Sequence, residues 1–233
     1  MSKFHFKEFS VVQDVSAMKV GTDAMVLGSL IESKEKKHCL DIGTGTGVIS
    51  LMIAQRNPNI QILGIEIDPD SAKEAHVNFQ NSNWSEQLNV IQLDFKEFIS
   101  EIQYDLIVSN PPYFENGLLN EATRKANARH EESLPLRYLF QKVVSHLSLN
   151  GHFWLILPHE TSSKWIESAK ELHLFCEREI TIFGKPNVPK RTVLCFSKIA
   201  VECTPSFLVI RNDDNLYTEQ YKKLTIDFHG VLL

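Results

Sequence analysis

The sequence predicts an α/β fold in which a doubly wound, mostly parallel sheet ends in an antiparallel hairpin. Two observations support this prediction. Short apolar runs alternate with helical patterns five times, which is typical of a sheet with helices on both faces. Two long apolar runs, 175–183 and 191–198, then follow each other directly, and the segment between them contains a glycine and two prolines, as expected of a hairpin.

Apolar periodicity and turn residues predict the elements in chain order. A turn capped by Thr22 or Asp23 precedes a short apolar helix that runs through about residue 30. The predicted strands are 38–42, 60–66, 89–93, 104–109, 151–157, 175–183 and 191–198. The helix after the first of these strands ends near residue 56, and the next helix starts at Pro69 and ends near 81. Further helices are predicted at 134–147, 162–174 and 218–226, and a further apolar run lies at 207–210.

Composition indicates an ordinary globular chain. It has 233 residues, of which 43% are hydrophobic and 23% charged, and its formal net charge is −5. This charge argues against a protein whose whole surface binds nucleic acid. The amino terminus has charges and no long apolar stretch, so we expect neither a signal peptide nor a membrane anchor, and we expect a cytoplasmic protein.

Four cysteines occur without a C-x-x-C pair: Cys39, Cys176, Cys195 and Cys203. We expect them to be reduced thiols that pack as small apolar side chains. No cluster with the spacing of metal ligands is present, so no metal is predicted. The sequence implies no obligate protein partner.

A glycine loop separates the first predicted strand from the helix after it. Gly43, Gly45 and Gly47 allow a tight turn and a close approach of the backbone to a ligand at the start of a helix. Glu66 ends the next strand, at the place where a carboxylate accepts hydrogen bonds from both ribose hydroxyls in dinucleotide sites. The loop and the acid together predict a nucleoside site.

The spacing of the loop indicates which nucleoside. It is G-x-G-x-G, unlike the G-x-G-x-x-G of nicotinamide sites, and Asp41 precedes it. A carboxylate there would repel a pyrophosphate and suit a cationic, amino-bearing ligand. S-adenosylmethionine is such a ligand. After the third strand, Asp94 is a candidate acceptor for an adenine amino group, with Phe95 beside the ring, although Asp94 also suits a helix N-cap.

The segment Asn110-Pro111-Pro112-Tyr113 follows the fourth strand. Two prolines fix two φ angles at about −65° and make a stiff corner. Ligands bind at this carboxyl edge in open α/β sheets. The side-chain oxygen of Asn110 and the carbonyl of Pro111 can accept hydrogen bonds from an exocyclic amine, and Tyr113 can stack on a base.

These motifs resemble those of a known family. D-x-G-x-G-x-G after the first strand and N-P-P-Y after the fourth resemble class I S-adenosylmethionine-dependent methyltransferases that act on amino groups. More narrowly, residues 19–23, 108–114 and 129–131 resemble the bacterial tRNA adenine-N6 methyltransferases that modify adenosine 37, next to the anticodon, of valine tRNA. The resemblance extends over most of the chain.

The resemblance implies a Rossmann-like methyltransferase sheet and a division of the chain. We expect a segment 1–30 that covers cofactor and substrate, a class I methyltransferase domain at 31–200, and an extension 201–233 packed on the same domain. It also implies that Asn110, Pro111 and Tyr113 are catalytic. Cofactor contacts are expected from Asp41, Gly43, Gly45, Gly47, Glu66, Asp94, Phe95 and Asn110.

A tRNA substrate would require cations near the corner, because its backbone is anionic. Candidates follow the corner and lie on the late hairpin. They are Arg124, Lys125, Arg129, His130, Lys185, Lys190 and Arg191.

Three alternatives remain open at this stage. The same corner methylates a glutamine amide in protein release factors, and related corners methylate guanine N2 in ribosomal RNA. Those relatives generally carry a substrate domain before the catalytic one, whereas only a short segment precedes His38 here. A nicotinamide oxidoreductase would leave N-P-P-Y without a role. A nucleoside-binding module without activity would bind the cofactor and transfer no methyl group.

Overall fold

A computed structural model of the chain describes residues 2–16, 19–111 and 136–229. Its strands are β1 Lys3–His5, β2 Ser10–Val12, β3 His38–Ile42, β4 Gln61–Glu66, β5 Leu88–Gln92, β6 Tyr104–Ser109, β7 Leu147–Pro158, β8 Phe175–Lys185, β9 Val188–Ser197 and β10 Thr204–Val209. Its helices are α1 Thr22–Leu30, α2 Val48–Arg56, α3 Pro69–Gln80, α4 Leu136–His146, α5 Ser162–Lys170 and α6 Glu219–Thr225.

Within the described residues, eight strands form one sheet in the order β10-β8-β9-β7-β6-β3-β4-β5. β9 pairs antiparallel with β7 and with β8, whereas every other pair in this sheet is parallel. The predicted doubly wound, mostly parallel sheet with a late antiparallel hairpin is therefore confirmed. Its carboxyl edge collects the ends of the parallel strands and the start of β9.

Both faces of the sheet are covered, which explains the continuous apolar runs in its central strands. On one face α1, α2 and α3 contribute a core that includes Leu27, Met52 and Phe79. On the other face α4 contributes Phe140, which packs edge-on against Phe196 at 5.5 Å between ring centroids. The central strands are thus held on both sides by helices, and their carboxyl ends have a defined position.

The helix starts show which local signals act. Asp68 caps α3, since its Oδ2 accepts from the Ser71 N–H at 2.8 Å, and Pro69 occupies the first turn. The prediction that Thr22 or Asp23 caps α1 is wrong. Gly21 occupies the N-cap without a side-chain hydrogen bond, and Asp23 lies in the first turn of the helix.

The late hairpin is tighter than predicted. β8 extends to Lys185 and β9 begins at Val188, so two residues form the turn in place of the predicted connection 184–190. Asn187 in this turn has φ 62°, a left-handed conformation that asparagine tolerates better than most residues, and Pro186 before it suits the first central position of a type II turn. The predicted helix 162–174 also ends early, at Lys170, and His173 has φ 58°.

Two amino-terminal strands were not predicted. β1 and β2 pair antiparallel, with Lys3 opposite Val12. They lie apart from the main sheet, and the stacked rings of Phe6 and Phe9, 4.3 Å apart, belong to the same core as α1 and α2. Three-residue strands are too short to show a period, which explains why the sequence pattern did not predict them.

No helix in the described part of the chain is both long and apolar enough to span a bilayer. The four cysteines are free thiols, three of them buried. Within 2–16, 19–111 and 136–229, no three His, Cys, Asp or Glu side chains are grouped so that they could hold a metal ion.

Candidate active site

The candidate site lies at the carboxyl edge of the sheet, where β4, β3 and β6 end side by side. Ile42 is in register with Ile65 on β4 and with Ser109 on β6. The Ser109 hydroxyl donates to the Ile42 carbonyl at 2.9 Å. The residues that follow these strands therefore emerge next to each other, which places the glycine loop, Glu66 and Asn110 at one edge.

All three glycines of the loop, Gly43, Gly45 and Gly47, have positive φ angles, a conformation that residues with side chains rarely adopt. Gly47 has φ 80°, and a Cβ there would lie 2.3 Å from Cε1 of Phe79. Gly45 has φ 55°, and a Cβ there would meet no atom within 4 Å. Gly47 thus allows α2 to pack against α3, whereas the space beside Gly45 is open. This open backbone at the start of a helix suits a close approach by a ligand.

Glu66 binds the loop directly. Its Oε2 accepts from the Gly45 N–H at 2.8 Å, and its Oε1 accepts from the Asp68 N–H at 3.0 Å. The side chain is buried, with 9% of the residue exposed. Each carboxylate oxygen can accept a second hydrogen bond, so ribose hydroxyls can bind without displacing the backbone. Acceptance from ribose hydroxyls remains a prediction.

Asp41 lies beneath the loop and is 1% exposed. Its Oδ2 accepts from the Thr44 hydroxyl at 2.8 Å and from the Ser50 hydroxyl at 2.6 Å. Its Oδ1 is buried and has no hydrogen-bond partner among the described residues. Burial raises the pKa of Asp41 to about 6, although the two hydroxyls lower it, and Glu66 adds a smaller rise.

The buried Oδ1 of Asp41, which lacks a donor among the described residues, indicates that the site suits an amino-bearing cofactor. A buried carboxylate oxygen without a donor is costly, and a cationic donor would relieve that cost. The open space beside Gly45 and the carboxylate of Glu66 lie on the same loop. These three features fit S-adenosylmethionine, which carries an amino group, a sulfonium and a ribose.

The corner after β6 begins with Asn110 and Pro111, which are half-buried. Asn110 directly follows Ser109, and Gly43 directly follows Ile42, the register partner of Ser109. Neighbouring strands lie about 4.8 Å apart. The backbone of Asn110 therefore lies beside the glycine loop, and its catalytic role remains a prediction.

Asp94 and Phe95 lie at the end of β5 with different roles in the structure. Asp94 caps a short 3-10 turn, since its Oδ1 accepts from the Lys96 N–H at 2.9 Å. Phe95 is 6% exposed and its ring packs on Phe98, at 6.1 Å between centroids. The capping role of Asp94 is confirmed, and contact of either residue with an adenine ring remains a prediction.

The model of the methyltransferase small domain family matches residues 14–171. The chain belongs to this family. The matched region begins at residue 14, so it includes the second half of the predicted amino-terminal segment 1–30.

Two curated relatives of this methyltransferase match it almost from end to end. One, from Flavobacteriaceae bacterium strain 3519-10, is 37% identical over 98% of this chain and 99% of the relative. Another, from Haemophilus influenzae, is 39% identical over 98% of this chain and 99% of the relative. Both are named tRNA1(Val) (adenine(37)-N6)-methyltransferase.

A solved structure supports the fold of the methyltransferase. It is described as a predicted O-methyltransferase of Agrobacterium tumefaciens and matches with a TM-score of 0.70 at 15% identity. The match covers 88% of this chain and 96% of that chain. At this identity the likeness concerns the fold.

Of the seven predicted cations of the methyltransferase, three lie within the described residues and four lie outside them. Lys185 and Lys190 are exposed beside the hairpin turn at the carboxyl edge. Arg191 instead binds Asp23, with Nε 2.8 Å from Oδ2. The corner residue Tyr113 and the candidates Arg124, Lys125, Arg129 and His130 lie outside the described residues. RNA contact by any of the seven cations remains a prediction.

A second charged region of the methyltransferase lies away from this site. A cavity of about 670 Å³ is lined by Lys36, His152 and Trp154, on the amino-terminal side of the sheet. Its charged groups pair with each other, as in the 2.8 Å contact between Arg178 and Glu32. The cavity is distant in the fold from the glycine loop, and we assign it no part in the candidate site.

Sequence reasoning missed the residues that hold the site in place. Thr44 and Ser50 donate to Asp41. On α3, Asn78 binds the last residue of β2 and Glu74 binds the segment that follows it. The available signal was the spacing of Glu74 and Asn78, which places two polar side chains on one face of α3. Polar residues at this spacing are common on solvated helices, so the pattern alone did not mark them as buried.

Proposed function

We propose that this protein transfers a methyl group from S-adenosylmethionine to the exocyclic N6 of adenosine 37 in tRNA1(Val). The observation that carries the proposal is the register of Ile42 with Ser109, which positions Asn110 beside the glycine loop. The two near full-length relatives support the choice of tRNA and of the nucleotide. Because a bacterial tRNA is the proposed substrate, we also propose a cytoplasmic location.

The residues that would hold the cofactor lie at the carboxyl edge of the sheet. Glu66 would accept from the ribose hydroxyls, and Asp41 would attract the amino group, with Gly43, Gly45 and Gly47 allowing close approach. Asp94 would accept from the adenine amino group beside Phe95. When bound, S-adenosylmethionine supplies an activated methyl group on a sulfonium.

Asn110 would act on the nucleophile. The N6 amine of adenine is a weak nucleophile because its lone pair is delocalised into the purine ring. If the Asn110 side-chain oxygen and the Pro111 carbonyl accept the two N–H groups, the nitrogen becomes pyramidal and its growing positive charge is stabilised. A hydrogen bond that strengthens by about 1–3 kcal/mol in the transition state raises the rate about 5- to 160-fold.

Access of the base requires that it leave the stacked anticodon loop. Extrusion costs a few kcal/mol and is cheapest in a loop. Tyr113 would stack on the extruded base, which is worth about 1–3 kcal/mol. Lys185 and Lys190, at the carboxyl edge, would bind the backbone phosphates next to it. Arg124, Lys125, Arg129 and His130 are proposed for the same role from their place after the corner.

The test is incubation of the protein with methyl-labelled S-adenosylmethionine and total bacterial tRNA, followed by digestion and separation of the nucleosides. We expect label in N6-methyladenosine, and in purified tRNA1(Val) we expect it at position 37. In parallel incubations with ribosomal RNA or with release-factor protein, label in N2-methylguanosine or in a glutamine would favour the alternative substrates. Cofactor binding without transfer to any of these would indicate a binding module and contradict the proposal.

A further inference from the structure

We propose that Asn78 is a positioning residue for cofactor binding, because it fastens the glycine loop to a strap from the amino terminus. The strap is defined as residues 12–16, which begin with the last residue of β2. This inference rests on the proposed function, since it takes S-adenosylmethionine as the ligand of the loop. It assigns a role to two buried polar residues of α3 that have no part in the chemistry.

Asn78 is 1% exposed and makes three hydrogen bonds. Its Oδ1 accepts from the Val12 N–H at 2.8 Å. Its Nδ2 donates to the Val12 carbonyl at 3.0 Å and to the Thr46 carbonyl at 2.8 Å. Thr46 lies between Gly45 and Gly47, so a single amide joins the strap to the centre of the glycine loop.

Glu74, one turn earlier on the same face of α3, holds the rest of the strap. Its Oε1 accepts from the N–H groups of Asp14 at 2.6 Å and Val15 at 3.0 Å. Its Oε2 accepts from the Ser16 N–H at 3.0 Å and from the Ser16 hydroxyl. Burial raises the pKa of Glu74, but these hydrogen bonds outweigh it and the pKa is lowered. The strap is thus bound to a buried anion through three consecutive backbone amides.

The strap is also tied to the segment that leads into α1. The Gln13 side-chain oxygen accepts from the Val20 N–H at 2.8 Å. This bond spans the strap residues 14–16 and brings the start of α1 back toward them. The strap therefore connects β2, α3 and the approach to α1, and it is more than a loose terminal segment.

The position of the loop depends on α3 at two adjacent residues. Asn78 binds the Thr46 carbonyl, and the Phe79 ring fills the space where a side chain at Gly47 would lie. Gly45, on the other side of Thr46, donates to Glu66. Loss of the Asn78 donor would leave a buried carbonyl in the loop without its partner, and the loop would shift relative to Glu66. Cofactor affinity is therefore expected to depend on an amide that does not reach the ligand.

The experiment compares two buried asparagines of the same chemistry. Asn57 also donates through Nδ2 to two carbonyls, those of Ser33 at 2.7 Å and Lys36 at 2.8 Å, but it lies at the far end of α2. Asn78→Asp and Asn57→Asp each replace two donated hydrogen bonds by a carboxylate oxygen facing two carbonyls. Both variants are expected to lower the melting temperature, so a general loss of stability is matched.

Binding of S-adenosylmethionine is then measured by calorimetry at a temperature where both variants are folded. We expect Asn78→Asp to raise Kd about tenfold, within the usual range of coupling between sites, and Asn57→Asp to leave it within about twofold. Equal Kd values for Asn78→Asp and wild type, or equal weakening in both variants, would overturn the proposal. If the wild-type protein itself does not bind S-adenosylmethionine, the proposed function is wrong. That outcome differs from loss of the coupling in a protein that does bind the cofactor.

Hydrogen exchange supplies a second measurement. If Asn78 only stabilised the fold, the binding of cofactor would not change the exchange rates of the strap amides. Coupling between two sites is reciprocal. If the Asn78 hydrogen bonds between strap and loop strengthen cofactor binding, bound cofactor must also stabilise the strap against local opening. In wild type, S-adenosylmethionine is expected to slow exchange of the Val12 and Ser16 amides about tenfold. In Asn78→Asp at saturating cofactor, this protection should be absent. Protection of the strap in both proteins would contradict the proposed link.

Discussion

Arg191 at the start of β9 donates through Nε to Oδ2 of Asp23 in the first turn of α1, at 2.8 Å. The two side chains are only 27% and 28% exposed. This contact joins the amino-terminal helix to the hairpin at the carboxyl edge of the sheet. Arg191, which the sequence predicts as an RNA contact, therefore has a structural partner within the protein.

Removal of this ion pair should affect stability. A charge-assisted pair that is partly shielded from solvent contributes about 1 kcal/mol. Arg191→Ala and Asp23→Ala should each lower the free energy of unfolding, and the double variant should lose less than the sum of the two. Urea denaturation of the four proteins gives the coupling energy. Additive losses would show that the contact contributes nothing.

The two exposed lysines of the hairpin should act on tRNA and leave stability almost unchanged. Lys185→Ala combined with Lys190→Ala removes two cations from the carboxyl edge. We expect a higher KM for tRNA and a salt slope of log KM that is smaller by about 2, because fewer counterions are released. Lys34→Ala with Lys37→Ala, before β3, serves as the control. Identical salt slopes in both double variants would exclude the hairpin from the RNA interface.

Asn110→Ala should reduce catalysis and leave cofactor binding intact. The variant loses an acceptor that is expected to bind the amine most strongly in the transition state, so kcat should fall about 100-fold. The Kd for S-adenosylmethionine should stay within about threefold of wild type. Asn89→Ala, at an exposed position of β5, provides the control. Full activity in Asn110→Ala would refute the catalytic assignment.

Glu66→Gln should weaken cofactor binding. The amide keeps the shape of the side chain but can no longer accept through both of its terminal atoms, whereas Glu66 binds Gly45 and Asp68 through separate oxygens. We expect Kd for S-adenosylmethionine to rise at least tenfold, equivalent to about 1.4 kcal/mol. Calorimetry checks the value, with the exposed substitution Glu86→Gln as reference. An unchanged Kd would remove Glu66 from the cofactor site.

Asp41 should make the free protein less stable as pH rises. Its pKa is raised from 3.8 to about 6, so the folded protein binds the proton more tightly than the unfolded chain does. Its contribution is therefore most favourable below pH 4 and is lost as pH rises through 6. The difference amounts to as much as about 3 kcal/mol. Above about pH 7 no further change is expected from this group.

The measurement compares wild type with Asp41→Asn by chemical denaturation from pH 4 to pH 8. The stability of the variant relative to wild type should increase over this range, mainly between pH 4 and pH 6. Asp70→Asn, whose side chain is 63% exposed, controls for a change in net charge. A constant difference between Asp41→Asn and wild type would mean that the carboxyl is not buried in solution.

The elements that could be predicted best are those with one dominant cause. β3 and β6 match the predicted strands 38–42 and 104–109 at both ends, because burial on both faces gives short, mainly apolar runs with polar or turn residues around them. The glycine loop and Glu66 could also be predicted, since a parallel sheet brings the ends of its strands to one edge. Asn110 beside Gly43 follows from the same rule.

The parts that could not be predicted depend on contacts between distant segments. Asp23 looked like a helix cap, but its partner is Arg191, 168 residues further along the chain. Asn78 looked like an ordinary polar helix residue, yet it is buried by the strap and by Thr46. Local sequence shows the side chain available for a contact, whereas the fold decides which partner it meets.

The direction of β9 has a consequence for how the protein can vary. Because β9 runs opposite to its neighbours, the turn before it projects past the edge of the sheet while both strands stay anchored in the core. Residues inserted between Lys185 and Val188 would lengthen this arm without altering the pairing of Pro158 with Arg191. The hairpin is thus a place where reach toward a larger or differently shaped substrate can change while the catalytic edge is preserved.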